Sequence, residues 1–280
     1  MKLLRYGDKG REKPGLLDES GTLRDLSGQV DDIAGEVLSD GGLARLRELD
    51  PATLPAVEGT PRLGPCVGGV SKIPAIGLNY SDHAAESNLP VPSEPIIFTK
   101  AVSSLSGPYD DVERPRNSQS LDWEVELAIV IGKRTKYVTE EAAMDHIAGF
   151  AVMNDVSERE FQAKRQGQWT KGKSHDTFAP LGPWLVTRDE VGDPHVLDLW
   201  LDVNGERRQT GNTRTLIFNV PFIVSYVSQF MTLQPGDVIP TGTPPGVGMG
   251  MNPQQFLNPG DVMELGITGL GSQRQTVISA

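Results

Sequence analysis

The chain has 280 residues, with 26 Lys and Arg against 37 Asp and Glu, a formal charge of −11. An acidic chain without a dense Lys/Arg stripe lacks the footprint that a phosphate backbone requires, which argues against nucleic acid as a partner, and no apolar stretch approaches the ~18 residues of a membrane span. Gly (31) and Pro (21) are abundant while hydrophobic residues make up 38%, a composition that favours many short strands and turns over long helices.

In chain order, Leu3 to Tyr6 and Gly15 to Leu17 read as strands around a polar turn, and Val30 to Leu38 and Leu43 to Leu49 carry helix-like apolar spacing. Prolines 51, 55, 61, 65 and 74 interrupt the next stretch, so a domain boundary is expected near residue 68, giving a small unit over 1–68 and a larger one over 69–280. Beyond it the expected strands are Ile96 to Thr99, Val125 to Ile131, Gly149 to Met153, Trp184 to Val186, Leu197 to Val203 and Val262 to Ile267, with a hairpin turn at Asn204-Gly205. Helices are expected over Thr139 to His146, over Ser157 to Arg165 behind a Ser157/Glu160 capping box, and over Val220 to Met231 behind Pro221. The charged start has no apolar leader segment and the single cysteine, Cys66, forms no internal disulfide, so a reducing cytoplasm is the expected location.

The sharpest local pattern is Trp123-Glu124-Val125-Glu126 running into Leu127 to Ile131. On a strand, Glu124 and Glu126 project to one face. One reading is a solvent-facing strand edge. The other is a strand buried on both faces, in which two adjacent acids need a compensating cation. Asp155 ends another apolar run, Gly149 to Met153, and either turns the chain or completes three hard oxygen ligands of the kind that suit Mg²⁺, Mn²⁺ or Ca²⁺.

His83 and Glu86 are spaced i, i+3, close enough on a helical stretch for the carboxylate to orient the imidazole, or else to form an ordinary exposed pair. Gly167 to Ser174 fits the P-loop pattern letter for letter. A P-loop, however, needs an apolar strand before it and a helix after it, and both flanks are wrong here. Lys173 is left as an ammonium on a glycine-flanked segment.

Taken together, Gly77-Leu78-Asn79-Tyr80-x-x-His83-x-x-Glu86, Phe98-x-Lys100, Trp123-Glu124-x-Glu126-Leu127, Asn154-Asp155-Val156-Ser157-x-Arg159-x-x-Gln162, Gly172-Lys173-Ser174-x-Asp176-Thr177 and Thr241-Gly242-Thr243-Pro244 resemble the fumarylacetoacetate hydrolase family from about residue 69 onward. The resemblance implies an α+β, predominantly β fold, a mixed β-sandwich roll with a small N-terminal domain, usually a homodimer. It implies Mg²⁺ (or Mn²⁺) held by Glu124, Glu126 and Asp155, a catalytic His83 and Glu86, and Lys173 beside the reacting centre. By the same matching Arg159, Gln162 and Thr243 contact substrate, and Glu158 and Gln166-Gly167-Gln168 depart from the family pattern in ways that bear on which substrate fits.

The chemistry implied is hydrolysis of a carbon–carbon bond in a 2,4-dioxo acid, releasing pyruvate, with a small 2-oxo acid as the partner molecule. The opening residues and the Gln168 to Thr177 block are similar to a bacterial branch of ureidoglycolate lyases and 2,4-dioxo-3-deoxy sugar acid hydrolases. Gln162, Gln166 and Gln168 suit a hydroxylated acyl group and favour the sugar acid. Ureidoglycolate lyase, acylpyruvate hydrolase and oxaloacetate decarboxylase are the alternatives, and a structural Ca²⁺ site in a non-catalytic β protein is the reading from a different class.

Overall fold

A computed structural model describes residues 1–82 and 90–280. Two antiparallel-dominated sheets form the body. The first orders its strands Val238–Pro240, Val125–Ile131, Ile147–Asn154, Leu185–Thr187, Lys2–Tyr6, Lys13–Leu17 and Leu23–Asp25, all neighbours antiparallel. The second runs Glu206–Asn212, Asp198–Val203, Val262–Ile267, Gly271–Ser279 and Val112–Arg114, with only the last pair parallel. Sheets dominate the fold, as the glycine and proline content implies.

Val125–Ile131 is buried at every position, and its alternation explains how. Val125, Leu127, Ile129 and Ile131 join a core with Leu199, Leu201, Met263 and Leu265 of the second sheet, while Ala128 and Val130 join another with Leu3, Leu38 and Leu43. Glu126 belongs to the latter face by period. The first sheet continues across residue 68, since Lys2 and Leu3 pair with Val186 and Leu185.

The hairpin at Asn204-Gly205 forms, with both residues at positive φ. Val220–Phe230 is a helix capped by Asn219, whose side chain accepts from Phe222 N. Two helical expectations differ. Of Val30 to Leu38 only Gly35–Leu38 coils, as a 3₁₀ turn entered through Gly35 at φ 51°. Ser157–Glu158 is a strand paired with Leu121–Asp122, and only Glu160–Lys164 forms a wide π turn. The Ser157 hydroxyl donates to Asp155 O rather than capping a helix. Among the described residues no helix is long and apolar enough to cross a membrane. Cys66 is fully buried, and burial pushes its thiol up to about 12.

Candidate metal centre and active site

Strand pairing brings the three acids together. Glu124 immediately precedes Val125–Ile131, Asp155 immediately follows Ile147–Asn154, and the register sets Glu126 opposite Met153 and Val125 opposite Asn154. Asp155 N then donates to Glu124 O at 2.8 Å. One carboxylate oxygen from each of Glu124, Glu126 and Asp155 lies within 4.8 Å of the others, and all three side chains are buried. The solvent-facing reading of Glu124 and Glu126 is therefore wrong, because both faces of their strand are covered.

Cations surround two of the acids. Lys173 Nζ donates to Glu124 Oε2 and to Asp155 Oδ2, each at 2.7 Å. Lys100 Nζ reaches the other Asp155 oxygen, and Arg159 Nη2 lies 2.7 Å from Glu124 Oε1. Burial works against a charged Glu124, but Lys173 and Arg159 outweigh it and hold the carboxyl at about 2. At Lys173 burial is likewise outweighed, by Asp155 and Glu124, and the ammonium is held above its usual value. At Lys100 burial wins over Asp155 and its pKa falls.

Glu126 is different. It accepts from Gly242 N at 2.8 Å, and among the described residues no cation pairs with it. Burial first, then the charges of Asp155 and Glu124, push its carboxyl well above the usual range. Three hard oxygen donors, one of them an acid with no ion pair among the described residues, are a donor set that fits Mg²⁺ or Mn²⁺.

A cavity of about 190 Å³ opens on this centre. Glu124, Glu126, Arg159, Gln162, Lys173 and Thr243 form its polar part, and Ile76, Leu78, Ile96, Phe98, Trp169 and Met249 its apolar part. The Ile96–Lys100 strand supplies both: Ile96 and Phe98 line the cavity and Lys100, on the same face by period, reaches Asp155.

The predicted substrate residues divide. Gln162 lines the cavity, its Oε1 accepting from Arg159 Nη1 at 3.1 Å, which leaves its amide nitrogen to donate to a ligand. Thr243 lines it too, but its hydroxyl donates to Val125 O and accepts from Gln209 Nε2, so it has no proton to offer. Gln166 and Gln168 are exposed and do not line the cavity. Glu158 faces away from the cavity: its carboxylate accepts from Ser118 Oγ, Gln119 N, Ser120 N and Phe161 N. His83 and Glu86 lie outside the described residues.

The P-loop-like segment has a π turn before it and a four-residue helix, Thr170–Lys173, within it. Its lysine sits among carboxylates, the wrong surroundings for a phosphate. Sequence reasoning gave no role to Asp122. This fully buried acid accepts from Arg159 Nε at 2.8 Å, Gly248 N at 2.7 Å and Met249 N at 3.0 Å, and so ties the cationic wall of the site to the loop carrying Met249. Its position two residues before Glu124, continuing the Asp122-x-Glu124-x-Glu126 alternation of acids, was the available signal.

Residues 72–278 match the family model for the fumarylacetoacetate (FAA) hydrolase C-terminal region. The chain belongs to the fumarylacetoacetate hydrolase family. A Burkholderia cenocepacia protein, named only provisionally as a hydrolase, is 61% identical over 99% of this chain and 98% of its own length. The fumarylacetoacetate hydrolase of psychrophilic Exiguobacterium antarcticum superimposes with a TM-score of 0.90 at 38% identity, covering 100% of both chains. Maleylpyruvate hydrolase from Sphingobium sp. SYK-6, solved with manganese(II) and pyruvate, gives 0.83 at 31% identity, again over 100% of both. As a family member the chain has the fold of a hydrolase, with a buried acidic triad able to hold a metal.

Proposed function

We propose that this protein is a Mg²⁺- or Mn²⁺-dependent hydrolase that cleaves the carbon–carbon bond of a 2,4-dioxo acid and releases pyruvate. The observation that carries the reading is the buried triad of Glu124, Glu126 and Asp155, with Lys173 against it and a cavity opening on both. A cation held by the triad would supply Lewis-acid polarisation of the 2-oxo acid's chelating oxygens.

The chain's own groups account for the rest. Lys173 and Arg159 present positive charge to an anionic acid, and the Gln162 amide nitrogen donates to it. The family resemblance assigns to His83, with Glu86 as its partner, the role of taking a proton from water as the oxygen adds to the distal carbonyl. Cleavage leaves the acyl acid, and protonation at the departing carbon gives pyruvate. The Lys173 ammonium, 1% exposed, faces the negative charge that develops, where low dielectric makes it count most.

An acylpyruvate is favoured over a sugar acid because, of the three glutamines, Gln166 and Gln168 are exposed and among the described residues only Gln162 lines the cavity to meet a hydroxyl. A lactate dehydrogenase-coupled assay with Mg²⁺ or Mn²⁺ tests both, over acylpyruvates, 2,4-dioxo-3-deoxy sugar acids and oxaloacetate, with ureidoglycolate followed by glyoxylate release. The expected result is pyruvate from acylpyruvates, lost on chelation and reduced about 10² to 10⁴-fold in His83→Ala. Turnover of ureidoglycolate alone, or an undiminished His83→Ala enzyme, would overturn the reading.

A further inference from the structure

The apolar half of the cavity has its own construction. Trp169 packs on Phe98 with ring centroids 5.2 Å apart, and Phe98 in turn lies 5.0 Å from Lys173 Nζ. Beneath the indole sits Gly77, where a Cβ would stand 2.6 Å from Trp169 Cζ3 and 3.0 Å from Cη2. Gly77 is therefore the seat of the indole, and only a residue without a side chain leaves that seat open.

The indole is also coupled to the charged end. Trp169 O accepts from Gly172 N at 2.8 Å at the start of the helix that ends in Lys173. That helix packs so closely on the chain behind it that a Cβ at Gly172 would meet Glu158 O at 2.4 Å. Trp169 and Lys173 thus sit at the two ends of one short, tightly packed helical turn. Ile96, paired with Gly77 beside the indole, and Met249 also line the cavity and are 37% and 39% exposed, apolar surface that a ligand filling the cavity would cover.

We propose that Trp169, held by Gly77 and Phe98, is the specificity determinant for the acyl end of the substrate and selects an extended apolar acyl group over a short or hydroxylated one. This rests on the 2,4-dioxo acid reading above and adds the chemistry of the distal group. Among the described residues the cavity wall beyond Gln162 offers carbon, and a hydroxyl placed there gives up its water without a partner.

The test compares butanoylpyruvate, acetylpyruvate and hydroxyacetylpyruvate on wild type, Trp169→Ala, Trp169→Phe and Gly77→Ala, each with Mn²⁺. Wild type is expected to favour butanoylpyruvate in kcat/KM by about tenfold or more, within the range a few methylenes give in an apolar pocket. Trp169→Ala removes most of that preference, Trp169→Phe restores part of it, and Gly77→Ala lowers it by displacing the indole. A merely structural role for Trp169 would depress all three substrates equally, so unchanged ratios overturn the proposal, as does a wild-type preference for the hydroxylated acid. Should wild type hydrolyse none of the three, the acylpyruvate form of the hydrolase reading falls by itself. The specificity proposal then stands or falls on the same ratios of calorimetric affinity.

Discussion

Glu124 and Glu126 are chemically identical and two residues apart, yet their surroundings drive them in opposite directions. Lys173 and Arg159 keep Glu124 ionised, while Glu126 accepts from a backbone amide and forms no ion pair among the described residues, and its carboxyl is pushed upward by burial and by its two acidic neighbours. Glu126→Gln keeps the acceptor for Gly242 N and removes the charge. Calorimetry with Mn²⁺ should show affinity falling by more than the ~10–100-fold that loss of an outer-shell partner costs. The melting temperature in EDTA should match or exceed wild type, because one member of a mutually repelling cluster is gone. Unchanged Mn²⁺ affinity would remove Glu126 from the ligand set.

At the scale of elements, the triad was legible because two features of the sequence agree: acids alternating with apolar residues, then an apolar run too long for a half-exposed strand. The supports around it were not legible in the same way. Lys100, Asp122 and Glu158 meet partners 37 to 55 residues away or across a different pairing, and no periodicity encodes such meetings. The expected Ser157 to Arg165 helix failed for the same reason, since pairing of Ser157–Glu158 with Leu121–Asp122 outweighs a local cap.

Glu158 then fastens that pairing by accepting three backbone N–H groups and a hydroxyl while fully buried. Hydrogen bonds to a charged group are worth about 1.5–3 kcal/mol each. Glu158→Ala should therefore lower the unfolding free energy by ~3 kcal/mol or more in urea titration, and Glu158→Gln, which keeps one acceptor oxygen, by less. A Glu158→Ala midpoint equal to wild type would mean that the Ser118 to Ser120 segment is held by something else.

Across the whole molecule, residues 1–68 contribute three strands to the first sheet and Leu3, Leu38, Leu43 and Leu46 to the core that also contains Val130, Ala151 and Met153. A chain beginning at residue 69 would leave the edge of Leu185–Thr187 unpaired and that face of the central strands in water. It is expected to aggregate or melt without a sharp transition, whereas the full chain should unfold in one cooperative step by circular dichroism and by tryptophan fluorescence alike. A soluble 69–280 fragment with a full-length melting temperature would contradict this.

The pairing of Val125–Ile131 with Ile147–Asn154, buried throughout on both strands, also sets a clock. Amides in such a ladder exchange with deuterium only when the entire molecule opens, and the three carboxylates are joined to the ends of these two strands. Molecules that begin to fray at their surface loops are expected to keep the strand ends that carry the triad. In a sample aged by heat or denaturant, the number of intact triads is therefore expected to follow the number of surviving folded molecules rather than fade gradually as each molecule loosens.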